Sequence, residues 1–302
     1  MVAVEILSSF FVQLAFTVGL VILYGGFISL CNRCFYDACG NSAFGIVKVT
    51  GYIGTPVHEL SHALMCLVFG HKVQKIRMFG GDKDVKTLGY VEHTYYRKNM
   101  YHQLGNFFIG ISPVLAGGAV ILLLVRLLIP HVYGSLQAEA VHLGELFFSG
   151  AERTGIAILD SLVSMLGSVF SFDNFLRWQW WLCILLSFSV AIHMEVSRSD
   201  IVSGLRGLCV IAVALLLTDG ILGWLFPNAL AAMTSAFVSA GIFAALLMAI
   251  PAVFSLMIGL FSVTVILARH IRVSVKNDRR EPAVNHHTVP ATKKRSSPKK
   301  KK

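Results

Sequence analysis

The chain has 302 residues, of which 55% are apolar and only 14% are charged, against about 25% charged residues in an ordinary soluble domain. The mean hydropathy is +0.69. This composition excludes a disordered chain, a collagen and a soluble globular enzyme, because too few polar side chains are present to cover a water-soluble surface. Several apolar runs reach the length of a bilayer core, so the sequence predicts an all-α polytopic membrane protein.

Five to seven transmembrane helices are predicted from apolar runs at residues 6–30, 44–70, 105–130, 179–196, 201–226 and 228–270. The second run is interrupted at Gly54-Thr55-Pro56, and a helix is expected to begin near Pro56. Residues 131–178 are mixed in character and are predicted to be interfacial. The last run is too long for one crossing and is predicted to divide near Pro251.

Residues 71–103 form the longest polar stretch before the C-terminal region. Basic residues outnumber acidic ones there, which predicts a cytoplasmic position by the positive-inside rule. Two stretches rich in β-formers, residues 72–79 and 87–96, flank a segment of Gly and Asp residues. This pattern predicts a small β-hairpin directly after the second apolar run.

One motif carries most of the chemistry. His58-Glu59-Leu60-Ser61-His62 lies in an apolar segment, and residues four apart on a helix share one face. Two imidazoles so placed can hold one Zn²⁺, and the glutamate between them can act as general base on a zinc-bound water. Ionisable residues within a membrane segment are costly and favour a functional interpretation. The alternative is a pair of structural histidines, with Glu59 stabilised at a helix N-terminus.

A catalytic zinc ion needs a third protein ligand and an open position. A second dense group of ionisable residues lies where the run at 179–196 ends and the next begins. Within this group Asp200 is the leading candidate for the third ligand, and His193 and Glu195 are the alternatives. Asp219, inside the next run, is a weaker candidate that could instead be a proton-path or packing residue.

Six cysteines are present. Cys31, Cys34 and Cys39 follow the first apolar run at a spacing that a zinc site could use, but no fourth ligand stands nearby. The alternative is a set of membrane-edge thiols, which could be acylated. Cys66, Cys183 and Cys209 lie in apolar runs and are predicted to be small core residues.

The net charge of +10 is concentrated at the C-terminus, because the segment from Arg269 to Lys302 carries the whole excess of basic residues. We expect residues 1–270 to form one integral membrane domain and residues 271–302 to form a disordered basic tail. A basic tail beside a membrane helix predicts a cytoplasmic C-terminus that binds anionic lipid. Nothing else in the chain favours nucleic acid as a partner.

The motif, the hairpin and the later aspartate together resemble the site-2 protease family of intramembrane zinc metalloproteases (peptidase family M50), in particular its small bacterial membrane proteins. The resemblance covers roughly residues 44–205. Four blocks carry it: Gly54–Ala63, Leu88–Val91, Gly105–Pro113 and His193–Ile201. It implies a zinc-dependent intramembrane endopeptidase that hydrolyses peptide bonds of membrane-protein substrates, by default in a bacterial plasma membrane.

Residue by residue, the resemblance implies that His58 and His62 are zinc ligands and that Glu59 is the general base. It also implies that Asp200 matches the aspartate of the family's third-ligand motif. Asn106 is the nearest match to a polar substrate-binding residue on the family's broken span. No insert resembling a PDZ domain is present.

The third-ligand motif departs from the family pattern, because residues 195–201 have no proline and no glycine follows Asp200. Two other functions therefore stay open. One is a catalytically inactive relative that acts as a binding or regulatory partner. The presence of His58, Glu59 and His62 argues against this function. The other is a metal transporter, against which the absence of a visible internal repeat argues.

Overall fold

The computed structural model describes residues 2–80, 88–148 and 154–278. Most of these residues are helical, and two strands pair as a small antiparallel sheet. The elements, in chain order, are α1 (Val2–Leu14), α2 (Leu20–Cys39), α3 (Ala43–Val68), β1 (Lys72–Arg77), β2 (Tyr90–Thr94), α4 (Met100–Leu128), α5 (Pro130–Phe148), α6 (Thr154–Val169), α7 (Phe172–Phe175), α8 (Trp178–Ala191), α9 (Arg198–Leu225) and α10 (Pro227–Asp278). The predicted all-helical class with one small hairpin is confirmed.

Within the described ranges, four helical runs are long and apolar enough to cross a membrane: Val2–Val68, Met100–Leu128, Arg198–Leu225 and Pro251–Ser274. The first run contains α1, a π-helical segment, α2, a 3-10 turn and α3. Gly40 interrupts it at φ 53°, a conformation that favours glycine. α8 is apolar but has only 14 residues, about 21 Å of helix. The expected total of five to seven crossings stays a prediction.

Two predicted interruptions are wrong. α3 continues through Pro56 and α10 continues through Pro251, each as one helix. A proline removes only one backbone hydrogen bond, and membrane helices tolerate that loss where neighbouring groups satisfy the freed carbonyl. α10 also extends to Asp278, past the expected domain boundary at residue 270. The remainder of the expected tail, residues 279–302, lies outside the described residues.

The residues predicted to be interfacial, 131–178, are helical over α5, α6 and α7, with residues 149–153 outside the described ranges. α5 and α6 pack against each other, and α5 also packs against α4 and α10. Neither helix is among the four runs that could cross a membrane. The interfacial position of this segment stays a prediction.

α3 distributes its side chains in the opposite sense to a helix of a soluble protein. It exposes Leu60, Leu64 and Leu67, each more than half accessible, while it buries Glu59 and His62. Leucines at this spacing form one continuous face. An apolar outer face over a buried polar face is the arrangement that a lipid environment favours.

α4 is the element around which the site is assembled, because it packs against α3, α8 and α9. Glycines allow the approach of α9: a Cβ added at Gly207 would lie 2.7 Å from the Gln103 carbonyl oxygen, and one at Gly110 would lie 2.7 Å from the Asp200 carbonyl oxygen. Small residues at such crossings let membrane helices pack with their backbones in contact. The backbone of α4 therefore lies directly against the start of α9.

The hairpin strands pair in an antiparallel register that runs from Lys72 opposite Thr94 to Arg77 opposite Tyr90, with an irregularity between Val73 and Lys75. The predicted hairpin is confirmed, although all of its predicted Gly/Asp turn except Gly80 lies outside the described ranges. The residues that follow β1 and precede β2 contact α3. The rings of Phe79 and Tyr52 lie 4.1 Å apart between centroids, and Leu88 contacts Gly51.

A substitution at Gly54 tests whether α3 packs closely against the end of α8. A Cβ at this position would collide with the Ser189 carbonyl oxygen and with the His193 imidazole ring, whereas a Cβ at Gly45, on the same helix, would meet nothing within 4 Å. We expect Gly54→Ala to destabilise the protein by roughly 1–3 kcal/mol. Gly45→Ala should be neutral or stabilising by up to about 1 kcal/mol, because alanine favours a helix.

Thermal unfolding of the two variants in detergent, followed by the loss of circular dichroism, measures this difference. Equal unfolding temperatures for Gly54→Ala and Gly45→Ala would contradict the close contact between α3 and the residues that follow α8.

Candidate metal centre

The two histidines of the motif face each other across one turn of α3. Their Nε2 atoms lie 3.2 Å apart, and the ring centroids are separated by 4.9 Å. His62 is buried and His58 is half-buried. The predicted helical face that carries both imidazoles is therefore present in the structure.

A backbone carbonyl fixes the protonation of each ring. His58 Nδ1 lies 2.7 Å from the carbonyl oxygen of His193, and His62 Nδ1 lies 2.8 Å from that of Ile109. A carbonyl oxygen only accepts, so each Nδ1 carries the proton and donates it. In the neutral rings both Nε2 atoms are then unprotonated, and at 3.2 Å their lone pairs repel each other. A cation or a proton between them removes this repulsion.

Neither carbonyl oxygen accepts the usual hydrogen bond from a helical N–H four residues further along the chain, so each can accept one from a histidine ring. α8 ends at Ala191, so the His193 carbonyl lies beyond the last helical turn. The Ile109 carbonyl lies inside α4, but the residue four positions on is Pro113, which has no N–H to donate to it. Ser112 Oγ also donates to the Ile109 carbonyl, at 2.8 Å. Pro113 thus leaves the Ile109 carbonyl oxygen available as an acceptor for His62.

Asp200 completes the group. It lies in the first turn of α9, in a capping box with Ser197, where a carboxylate is favoured by the helix dipole. Its Oδ2 lies 3.7 Å from His62 Nε2, and one ligand atom from each of His58, His62 and Asp200 lies within 4.8 Å of the others. The leading candidate for the third ligand is thus the acidic residue that the fold brings to the histidines.

The donor set fits a zinc ion. Zinc bonds of about 2.1 Å at tetrahedral angles place ligand atoms about 3.4 Å apart. Two of the three separations in the structure, 3.2 Å and 3.7 Å, bracket that value, and the third is no more than 4.8 Å. Each histidine also donates its other ring N–H to a carbonyl, as zinc-ligating histidines commonly do. Three protein ligands leave a fourth position for water or substrate.

Glu59 lies beside this group, beneath the hairpin. Its side chain is buried, with 7% relative exposure. A Cβ added at Gly89, just before β2, would lie 2.8 Å from Glu59 Cγ and 2.7 Å from Thr55 Cγ2. Only a glycine allows the hairpin backbone to approach the glutamate so closely. The hairpin therefore forms one wall of the site.

The two alternative third ligands lie elsewhere. The His193 ring turns back to its own helix, with Nδ1 2.9 Å from the Ser189 carbonyl oxygen, so His193 contributes its carbonyl to the site rather than its imidazole. Glu195 lies near Arg33 and Tyr36 of α2. Neither side chain belongs to a group of potential metal ligands among the described residues.

Asn106 lies on α4, three residues before Ile109. It is 1% exposed, and neither its Oδ1 nor its Nδ2 has a hydrogen-bond partner among the described residues. Buried amides are rarely left unpaired. Its two free polar atoms match what a peptide backbone offers, one donor and one acceptor.

The other candidates are not part of the site. Asp219 is fully buried on α9 and accepts a hydrogen bond from Gln13 Nε2 at 3.1 Å, which joins α9 to α1. Cys31, Cys34 and Cys39 are free thiols, and they do not appear in either of the two ligand groups found among the described residues. Among the described residues, these three cysteines therefore do not form a group that could hold a metal ion.

A cavity of about 340 Å³ reaches Asp200 from between α2, α4 and α9. Glycines and apolar side chains form most of its wall, and the described lining includes Gly25, Gly26, Ser29, Gly110, Ile111, Val196 and Gly204. The cavity is large enough for a few side chains of an apolar segment. It thus borders the candidate metal centre at Asp200.

Comparison of the chain with protein-family models, with curated proteins and with solved structures gave no match.

A substitution at Pro113 tests whether the Ile109 carbonyl orients the His62 ring. Pro113→Ala restores an N–H that bonds to this carbonyl and competes with His62 Nδ1, so we expect the affinity for Zn²⁺ to fall about tenfold to a hundredfold. Pro251→Ala, which changes a proline inside α10, should leave the affinity unchanged. Competition with a chromophoric chelator measures both affinities. Equal values for the two variants would contradict the role of Pro113.

Proposed function

We propose that this protein is a zinc-dependent intramembrane endopeptidase that hydrolyses peptide bonds of membrane-protein substrates. The observation that carries the proposal is the close approach of Nε2 of His58 to Nε2 of His62, 3.2 Å apart, with the Asp200 carboxylate beside them. A metal cation bound by the three groups would offset the repulsion between the two nitrogen lone pairs. The buried Glu59 between the two histidines along α3 supplies a general base.

The chemistry follows from these positions. A zinc ion held by His58, His62 and Asp200 would polarise the scissile carbonyl and activate a water molecule for attack. Glu59 takes a proton from the attacking water and gives it to the leaving amine nitrogen. The C–N bond breaks, and the products are a carboxylic acid and an amine. The protein's own groups thus provide the proton transfers at both ends of the reaction.

The substrate is proposed to be a transmembrane or juxtamembrane segment. The backbone of an intact helix is hydrogen-bonded internally, so the segment must unwind before its carbonyl can reach the site. The hairpin offers strand edges to which an extended segment could add, and Gly89 brings the hairpin to Glu59. The unpaired amide of Asn106 and the apolar cavity at Asp200 support binding of an extended apolar peptide.

The cellular setting is proposed on the same basis. The four long apolar helical runs are compatible with an integral membrane protein. A bacterial plasma membrane, a cytoplasmic C-terminus and binding of anionic lipid by the basic tail remain predictions from the sequence. The hairpin is likewise predicted to lie on the cytoplasmic side.

Zinc content separates the proposed ligands. His58→Ala and Asp200→Ala should each bind one zinc ion per chain fewer than the unmodified protein, because three ligands are the minimum for a stable site of this kind. His193→Ala should retain the zinc, because the carbonyl that holds His58 remains after the ring is removed. Elemental analysis of detergent-purified protein gives the count. Loss of zinc in His193→Ala with retention in Asp200→Ala would assign the third ligand to His193 instead.

Glu59→Gln should retain zinc and lose peptide hydrolysis, because the amide keeps the shape of the side chain but cannot accept the proton. Glu195→Gln is the matched control and should keep activity. Mass spectrometry of new protein N-termini in membranes that contain each variant identifies the cleavage. If the unmodified protein and Glu59→Gln yield the same N-termini, the chain acts as a binding or regulatory protein. Zinc uptake into proteoliposomes would instead support a transporter.

A further inference from the structure

A second group of potential ligands lies at the C-terminal end of α3. Cys66 lies in the last turn of this helix, His71 follows the helix, and His93 lies on β2. One ligand atom from each lies within 4.8 Å of the others. Cys66 is 0% and His71 3% exposed, and His93 is half-buried. None of the three belongs to the group formed by His58, His62 and Asp200.

The end of α3 itself brings two of these residues together. Gly70 has φ 70°, the left-handed conformation that closes a helix in a Schellman motif. The His71 N–H donates to the Cys66 carbonyl oxygen at 2.8 Å, and the Gly70 N–H donates to the Leu67 carbonyl oxygen at 3.3 Å. These are the two hydrogen bonds of that motif. The chain reversal thus returns His71 to the level of Cys66.

The hairpin register supplies the third residue. His93 pairs with Val73, two residues after His71. Its Nδ1 lies 3.0 Å from Nδ1 of His71, and the ring of Tyr95 stacks on His71 with an interplanar angle of 13°. The hairpin therefore holds both imidazoles against the thiol of α3.

A backbone carbonyl again fixes the tautomer. His71 Nε2 lies 2.8 Å from the carbonyl oxygen of His102, so Nε2 carries the proton and Nδ1 presents a lone pair towards His93. This is the same relation that the His193 carbonyl has to His58 at the first centre. A ligand histidine whose other nitrogen donates to a carbonyl is the usual arrangement at metal sites.

We propose that Cys66, His71 and His93 form a second metal site, which binds a borderline or soft transition-metal cation such as Zn²⁺. A thiol and two imidazoles exclude Mg²⁺ and Ca²⁺, which prefer oxygen ligands. On binding, the Cys66 S–H bond breaks, its proton passes to solvent and a sulfur–metal bond forms.

The site would clamp the hairpin to α3. Cys66 belongs to the helix that carries Glu59, and His93 belongs to the strand that follows Gly89. Gly89 is in contact with Glu59. A cation shared by the helix and the strand therefore fixes the wall of the first centre without touching the reacting groups. The metal site itself does not depend on the proposed hydrolysis.

The test uses the full-length protein in detergent with the first centre removed, as His58→Ala/His62→Ala. We expect this parent to keep one zinc ion per chain and the unmodified protein to have two. Adding Cys66→Ser or His93→Gln to the parent should abolish the remaining zinc. Adding Cys183→Ser, a change at another buried cysteine, should not. Cobalt substitution of the parent should give a thiolate-to-metal charge-transfer band that Cys66→Ser removes.

The outcomes distinguish this proposal from the preceding one. One zinc in the unmodified protein and none in the parent would overturn the second site and leave the first intact. Equal zinc in the parent and the unmodified protein would overturn the first. If Cys66→Ser fails to fold, a variant of the parent that retains Cys66 as its single cysteine decides, because the absence of the cobalt–thiolate band there would overturn the proposal.

Discussion

Two hydrogen bonds from imidazole rings to backbone carbonyls fix the arrangement of the candidate metal centre, on which the rest of the site depends. The carbonyl oxygens of His193 and Ile109 accept hydrogen bonds from Nδ1 of His58 and Nδ1 of His62, which leaves both Nε2 atoms unprotonated at a distance of 3.2 Å. The motif on α3 supplies the rings, but rings on a free helix could adopt either tautomer and several rotamers. The partners that select one arrangement come from α4 and from the segment after α8.

Close packing of the helices and the hairpin makes these contacts possible. Gly54 allows the end of α8 to reach α3, Gly110 allows the start of α9 to reach α4, and Gly89 allows the hairpin to reach Glu59. In each case a missing side chain lets a backbone approach a polar group closely. Small residues thus set the distances between α3, α4, α9 and the hairpin at the candidate site.

The elements near the motif were predictable because their signals are local. The apolar runs, the hairpin between two β-forming segments and the histidines four residues apart all depend on periodicity within a few turns. Asp200 could be selected as the leading candidate, since it is an acidic residue at a junction between helices. The continuity of α3 and α10 through Pro56 and Pro251 could not, because whether a proline ends a helix depends on the groups that satisfy the freed carbonyl.

The sequence by itself determined the mostly helical class with long apolar helices, the hairpin and the residue types of the candidate centre, because each is encoded by spacing along one element. Only the tertiary structure decided that His193 contributes a carbonyl while Asp200 contributes its carboxylate. It alone joined Cys66, His71 and His93 into a second group. The physical reason is that ligand geometry depends on distances between elements far apart in the chain. Those distances are set by how the helices and the hairpin pack, a property that no local pattern contains.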